Sequence, residues 1–112
     1  MLKKQNRLRG EKDFEKIIKK GERFWDIFLF LKVIKNNLRI VRVGLVISRK
    51  VSKKAVVRNK IKRQMRAILR SFLSTLKGGG SLIFIAKKSL LDSNYHELER
   101  DIRTLLSKSK LV

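Results

Sequence analysis

Residues 53–70, KKAVVRNKIKRQMRAILR, decide how this chain is read. They hold eight cations (Lys53, Lys54, Arg58, Lys60, Lys62, Arg63, Arg66 and Arg70) and no carboxylate. Apolar residues thread through them at helical spacing. At about 100° per residue, Val57, Ile61, Met65, Ile68 and the following Phe72 fall on one narrow stripe, which suits a sheet. The cations and Asn59 occupy the other side. Repulsion between Arg58, Lys62, Arg66 and Arg70 costs a few tenths of a kcal/mol per i,i+4 pair. Burying each large side chain of the stripe contributes roughly 1.5–3 kcal/mol, so burial wins. The helix can form without a partner, and its outward face is preset for phosphates. Asn59 adds a directional donor and acceptor that a merely solubilising face does not need.

The helix is expected over Lys54–Leu76, closed by the glycines of KGGG at Gly78–Gly80. Upstream, IFLFLKVI (27–34) and IVRVGLVIS (40–48) are β-branched and aromatic. KNNLR separates them and predicts a hairpin with Asn36-Asn37 at its turn. Downstream, SLIFIA (81–86) reads as a third strand. Asn94, three residues before Glu97, resembles a capping box, and Tyr95, Leu98, Ile102, Leu105 and Leu106 form the stripe of a closing helix. EKDFEKIIKK (11–20) places Phe14, Ile17 and Ile18 at i, i+3 and i+4 ahead of Gly21, a short amphipathic helix. The order αββαβα predicts an α+β two-layer sandwich, helices packed on a small mixed sheet. Residues 1–112 read as a single domain, with residues 1–10 a basic N-terminal arm.

The charge is distributed as unevenly as it is large. The formal net charge is +21, while 43% of the residues are hydrophobic, so the chain can fold but repels itself. All nine carboxylates lie in residues 11–26 and 92–101. The 65 residues from Ile27 to Leu91 contain none and carry 17 Lys and Arg, which favours a phosphate-binding face over a solvated run of charge. With no cysteine, disulfides and thiolate metal sites are excluded. The N-terminus lacks the apolar run of a secretory signal, and IFLFL is too short to span a bilayer, so a soluble, cytoplasmic protein without a membrane partner is expected.

On the first strand, Ile27, Leu29, Leu31 and Val33 alternate with Phe28, Phe30, Lys32 and Ile34. The first set suits a core. The second mixes rings with a cation, and its aromatics read either as core under a helix or as platforms for stacked bases. Trp25 reads as a packing residue, Tyr95 as an anchor of the last helix, and His96 as surface. KGGGS lacks the Lys-Ser/Thr of a P-loop.

The run AVVRNKIKRQMR resembles the signature of the bacterial ribonuclease P protein component. RVGLVIS (42–48), RLRGEKDFEKIIKKG and LIFIAKK resemble the strand before the basic helix, the N-terminal helix and the last strand of that family, so the resemblance covers nearly the whole chain in order. It implies the small subunit of a ribonucleoprotein whose RNA removes the 5′ leader of precursor tRNA with Mg²⁺ held mainly by RNA. It also implies a left-handed βαβ crossover, against the usual hand. By the same resemblance, Arg58, Asn59, Lys60, Lys62, Arg63 and Arg66 contact ribonuclease P RNA; Arg70, Lys53 and Lys54 extend the same basic stretch, and Arg7 and Arg9 are the arm residues expected to contact RNA. Phe14, Ile18, Phe28, Phe30 and Lys32 line a cleft for the single-stranded leader. Lys60 stands where many members have Arg, Ile18 where a second aromatic is common, and Ser52 near an expected Gly in a loop one residue longer.

The residue inventory argues against a protein catalyst. Two-metal cleavage needs clustered carboxylates, which the basic window lacks. Metal-free cleavage normally pairs two His or a His with a carboxylate, and His96 is the only histidine. No small-molecule cofactor is expected. A basic ribosomal or ribosome-associated RNA-binding protein is the alternative reading of the charge, and an autonomous cationic nuclease a third.

Overall fold

The computed structural model describes residues 11–36, 41–76 and 79–109, without the side chains of residues 11–14 and 36. Its elements are α1 (Glu11–Lys20), β1 (Glu22–Trp25), β2 (Leu29–Asn36), β3 (Val41–Val46), α2 (Ala55–Phe72), β4 (Gly79–Ala86) and α3 (Tyr95–Lys108). Short 3-10 turns follow α2 at Leu73–Thr75 and β4 at Lys88–Asp92. Four strands form one mixed sheet in the order β1-β2-β4-β3. Only β3 and β4 are parallel, and α2 makes the crossover between them.

The α+β class holds, and two details of the expected topology change. First, no hairpin joins β2 to β3, because β4 lies between them. Leu29–Asn36 runs antiparallel to β4, and Val41–Val46 runs parallel to it. Asn36, expected in the turn, is the last residue of β2 and lies opposite Gly79, while Asn37 falls outside the described residues. The physical reason lies in β4 itself. Leu82, Phe84 and Ala86 face one side and Ile83 and Ile85 the other, so this strand gains most from a central position buried on both faces. Second, ERFW, too short and too charged to stand out, forms edge strand β1, with Arg23 opposite Lys32 and Trp25 opposite Phe30.

The main core lies between the sheet and α2 with α3. Ile61, Met65, Ile68 and Leu69 of α2 are buried there, with Val57 and Phe72 partly buried, so the expected stripe is present with Leu69 added. α2 ends at Phe72, earlier than Leu76, and Gly79 and Gly80 begin β4 instead of closing the helix. A Cβ at Gly80 would sit 2.8 Å from the Ile34 carbonyl oxygen, so this glycine permits close pairing of β2 with β4. In α3 the capping box is complete: Glu97 N–H donates to Asn94 Oδ1 at 2.8 Å, and Asn94 N–H donates to Glu97 Oε1 at 3.0 Å. Leu98, Ile102, Leu105 and Leu106 are buried, whereas Tyr95 is exposed and leaves the expected stripe.

α1 lies on the opposite face. Ile17 packs on Ile83, beside Ile34, Val46 and Ile85. Gly21 N–H donates to the Ile17 carbonyl at 2.8 Å, and a Cβ on Gly21 would meet that same oxygen at 2.5 Å. The glycine is there because the chain leaves α1 directly over β2.

The start of β2 also corrects the expected face pattern. The chain turns at Asp26, whose N–H donates to the Leu29 carbonyl. The turn exposes Ile27 and drives Phe28 into the main core. Phe28 N–H donates to Asp101 Oδ2 at 3.1 Å, and its carbonyl accepts from Lys87 N–H at 2.9 Å. Burial raises the Asp101 pKa to about 6, the Phe28 N–H opposes this, and the nearby Asp26 carboxylate adds to the rise.

Two outcomes follow. A raised carboxyl pKa means the folded state binds the proton more tightly than the unfolded chain, so the Asp101 contribution to stability is full below about 4 and is lost as pH rises through about 6. Asp101→Asn keeps an acceptor for Phe28 without the buried charge. Its thermal midpoint should match the parent near pH 4 and exceed it by several degrees at pH 7.5, as read by calorimetry at both values. Gly21→Ala should destabilise by about 1–3 kcal/mol, because the clash is with backbone. Urea unfolding should show the lower midpoint with an unchanged slope.

Candidate nucleic-acid interface

Two surfaces on opposite sides of the sheet carry the expected residues. The first is the outward face of α2. Asn59, Lys60, Arg63 and Arg70 are exposed, and Lys62 and Arg66 are half-buried along its flank. Among the described residues none of these six side chains makes a hydrogen bond or ion pair, and the one salt bridge, Arg103 to Glu99, lies within α3. Arg58 differs. Its guanidinium donates to the Ser52 carbonyl at 2.9 Å, so it also holds the loop that enters the helix. In that loop Val51 and Ser52 N–H donate to the Ser48 carbonyl, and Ser52 Oγ accepts from Lys54 N–H. Lys53 and Lys54 are exposed beside it. Lys54 is the N-cap residue and supplies no side-chain acceptor, nor does an acidic residue occupy the first turn. The positive end of the α2 dipole therefore adds to the cationic field without internal compensation.

The second surface is the sheet face on which α1 lies. Phe30 and Lys32 point to this side, opposite the buried Leu29, Leu31 and Val33. The Phe30 ring is half-buried, with the Arg23 guanidinium 5.7 Å and Lys87 Nζ 5.2 Å from its centroid. Lys32 Nζ donates to the Ile18 carbonyl, so this cation binds the last turn of α1 to the sheet. Ile18 is exposed at the rim. Phe28, expected here, belongs to the core on the other side, for the reason given by the turn at Asp26. The Phe14 side chain, Arg7 and Arg9 lie outside the described residues.

Sequence reasoning missed three members of this surface. Arg23 and Lys87 flank Phe30, and Trp25, expected to pack, is 59% exposed on the strand next to it. The available signal was the alternation of Arg23 and Trp25 with Phe24, whose ring packs against the core. Lys87 had no signal, because its neighbourhood is made by the pairing of β2 with β4.

Among the described residues no three His, Asp or Glu side chains converge into a group that could hold a metal ion. Asp26 and Asp101 are a pair turned toward the core. His96 is exposed and meets only the edge of Tyr95, at 6.3 Å between ring centres. No helix among the described residues is long and apolar enough to cross a membrane.

Comparison with known proteins agrees with this geometry. The family model described as Ribonuclease P matches residues 2–110. The ribonuclease P protein component of Pseudanabaena sp. is 43% identical, over 100% of this chain and 97% of that protein. The RNase P protein of Staphylococcus aureus superposes with a TM-score of 0.87 at 27% identity, covering 96% of this chain and 98% of that one. The RNase P protein of Thermotoga maritima superposes with a TM-score of 0.82 at 28% identity, covering 91% and 96%. A basic helix with no internal counter-charge, a cationic aromatic sheet face behind it, and a match from end to end lead to one assignment: this chain belongs to the bacterial ribonuclease P protein component family.

Proposed function

We propose that the chain is the protein subunit of ribonuclease P and works as a clamp between two RNAs. The α2 face, Asn59, Lys60, Lys62, Arg63, Arg66 and Arg70 with Lys53, Lys54 and Arg58 at its entrance, lies against the catalytic RNA. The face carrying Phe30, with Ile18 and Lys32 at its α1 rim, receives the single-stranded 5′ leader of precursor tRNA, and Phe14 of α1 and the arm residues Arg7 and Arg9 extend it. Cleavage of the leader is the work of the RNA with Mg²⁺ held by RNA and substrate. The protein contributes binding and lowers the repulsion between the phosphates of the two RNAs. No residue of the chain acts on the scissile phosphate.

One observation carries this reading. The cationic helix and the cationic aromatic face are back to back across a single sheet, so both can be occupied at once. A ribosomal protein needs only the first surface. Phosphates account for the helix, and stacking accounts for a half-buried ring under two cations. Stacking is worth about 1–3 kcal/mol per base and tolerates any sequence, which suits leaders of variable sequence.

The decisive measurement is cleavage of precursor tRNA at low Mg²⁺ by a bacterial ribonuclease P RNA, with and without the protein. Acceleration with the protein is expected, and Arg63→Ala or Arg66→Ala should weaken assembly. No gain would assign the chain to another RNA, and cleavage without added RNA would make it a nuclease. Salt provides an independent test. The logarithm of affinity for the RNA subunit should fall with log salt by about 0.9 for each phosphate neutralised on duplex. Removing both Arg63 and Arg66 should reduce that slope by about 2. An unchanged slope would place the contact elsewhere.

A further inference from the structure

Trp25 is the only tryptophan of the chain and stands 59% exposed at the end of an edge strand. Among the described residues its ring has no aromatic or cationic partner. A single exposed ring is ordinary on a protein surface, so what matters is what lies beside it. The register supplies the context. Trp25 is directly opposite Phe30, and Arg23 is directly opposite Lys32, so all four side chains share the sheet face that α1 covers only in part. The backbone beneath Trp25 is held from two sides. Lys108 Nζ donates to the Trp25 carbonyl at 2.9 Å, and Lys87 Nζ donates to the Asp26 carbonyl at 3.1 Å. Arg23, Phe24, Trp25 and Lys108 line an open depression at this edge. The neighbouring Asp26 carboxylate accepts from Ile27 N–H at 2.9 Å and pairs with Asp101, and the cations Arg23, Lys87 and Lys108 around this edge outnumber it.

We propose that Trp25 and Phe30 form a two-ring stacking platform at the β1 edge, which takes two unpaired nucleotides of single-stranded RNA with their phosphates against Arg23 and Lys87. This rests on the reading of the sheet face as the leader cleft and extends it beyond the residues named there. The chemistry favours RNA over an acidic peptide, because the patch presents flat rings for bases as well as cations for phosphates, and an acidic peptide would use only the cations. Directly opposed residues hold their Cβ atoms about 5 Å apart, so neighbouring bases of an extended strand can reach the two rings without the backbone folding back. Arg23 and Lys87 lie over Phe30 in the free protein. An exposed cation–π contact is weaker than a stacked base, so an incoming base displaces Arg23 onto its own phosphate, while Lys87, held at the Asp26 carbonyl, stays beside the ring.

Trp25 reports on its own occupancy, since all tryptophan emission comes from it. The full chain is titrated with an unstructured, 5′-fluorescein-labelled decanucleotide of RNA, following label anisotropy and tryptophan emission together. Quenching of the emission in step with the anisotropy is expected. Trp25→Ala should weaken binding by at least roughly fivefold, and Trp25→Phe should retain most of it. Saturating anisotropy with unchanged emission, or a Trp25→Ala variant of parental affinity, overturns the platform. Phe30→Ala separates the two readings. If it weakens binding while Trp25→Ala does not, the leader cleft stands and the platform falls. If precursor tRNAs with and without a leader bind the reconstituted complex equally, the cleft itself falls and the platform with it.

Discussion

The molecule depends on β4 being buried on both sides. Leu82, Phe84 and Ala86 close the core beneath α2 and α3, and Ile83 and Ile85 receive Ile17 of α1. A strand that is apolar in both directions has to lie in the middle of the sheet. Its insertion separates β2 from β3, makes β3–α2–β4 a parallel crossover, and fixes α2 on one face while α1 lies on the other. Every functional feature follows from that division. The face under α2 and α3 is closed and apolar, so the cations of α2 must look outward. The α1 face is only partly covered, so Phe30 and its neighbours remain reachable.

The charge has a structural consequence as well. A chain of net charge +21 has few acids with which to build internal ion pairs, and among the described residues it uses only Glu99 in one. Cations are instead bound to backbone oxygens at the seams between elements. Lys32 reaches the Ile18 carbonyl, Arg58 the Ser52 carbonyl, Lys87 the Asp26 carbonyl and Lys108 the Trp25 carbonyl. These contacts join α1 to β2, the entry loop to α2, and the β1–β2 turn to the strand and helix that flank it. A basic protein thus uses part of its charge as mortar between elements, while the other outward cations of α2 are unpaired among the described residues.

The candidate site was legible where a single element supplied it. The face of α2 could be read residue by residue, because helical periodicity sorts Ile61, Met65 and Ile68 from Asn59, Arg63 and Arg70 with no knowledge of what they pack against. Phe30 and Lys32 were legible for the corresponding reason on a strand. Phe28 was not, because alternation holds only while the chain stays extended, and the turn at Asp26 reverses its direction before β2 begins. Trp25, Arg23 and Lys87 were not legible either, since each matters through what lies across a strand pairing.

By itself the sequence determined the class of the protein and its polarity: one α+β fold, a basic helix with a buried stripe, and a capped closing helix. Those properties depend on residue type and on spacing within one element. Only the tertiary structure decided that β4 parts the expected hairpin, that ERFW pairs as a fourth strand, and that the two cationic surfaces stand back to back. The reason is that strand partners are chosen by competition among all strands for burial on both faces. That competition is settled between segments far apart in the chain, where local periodicity carries no information.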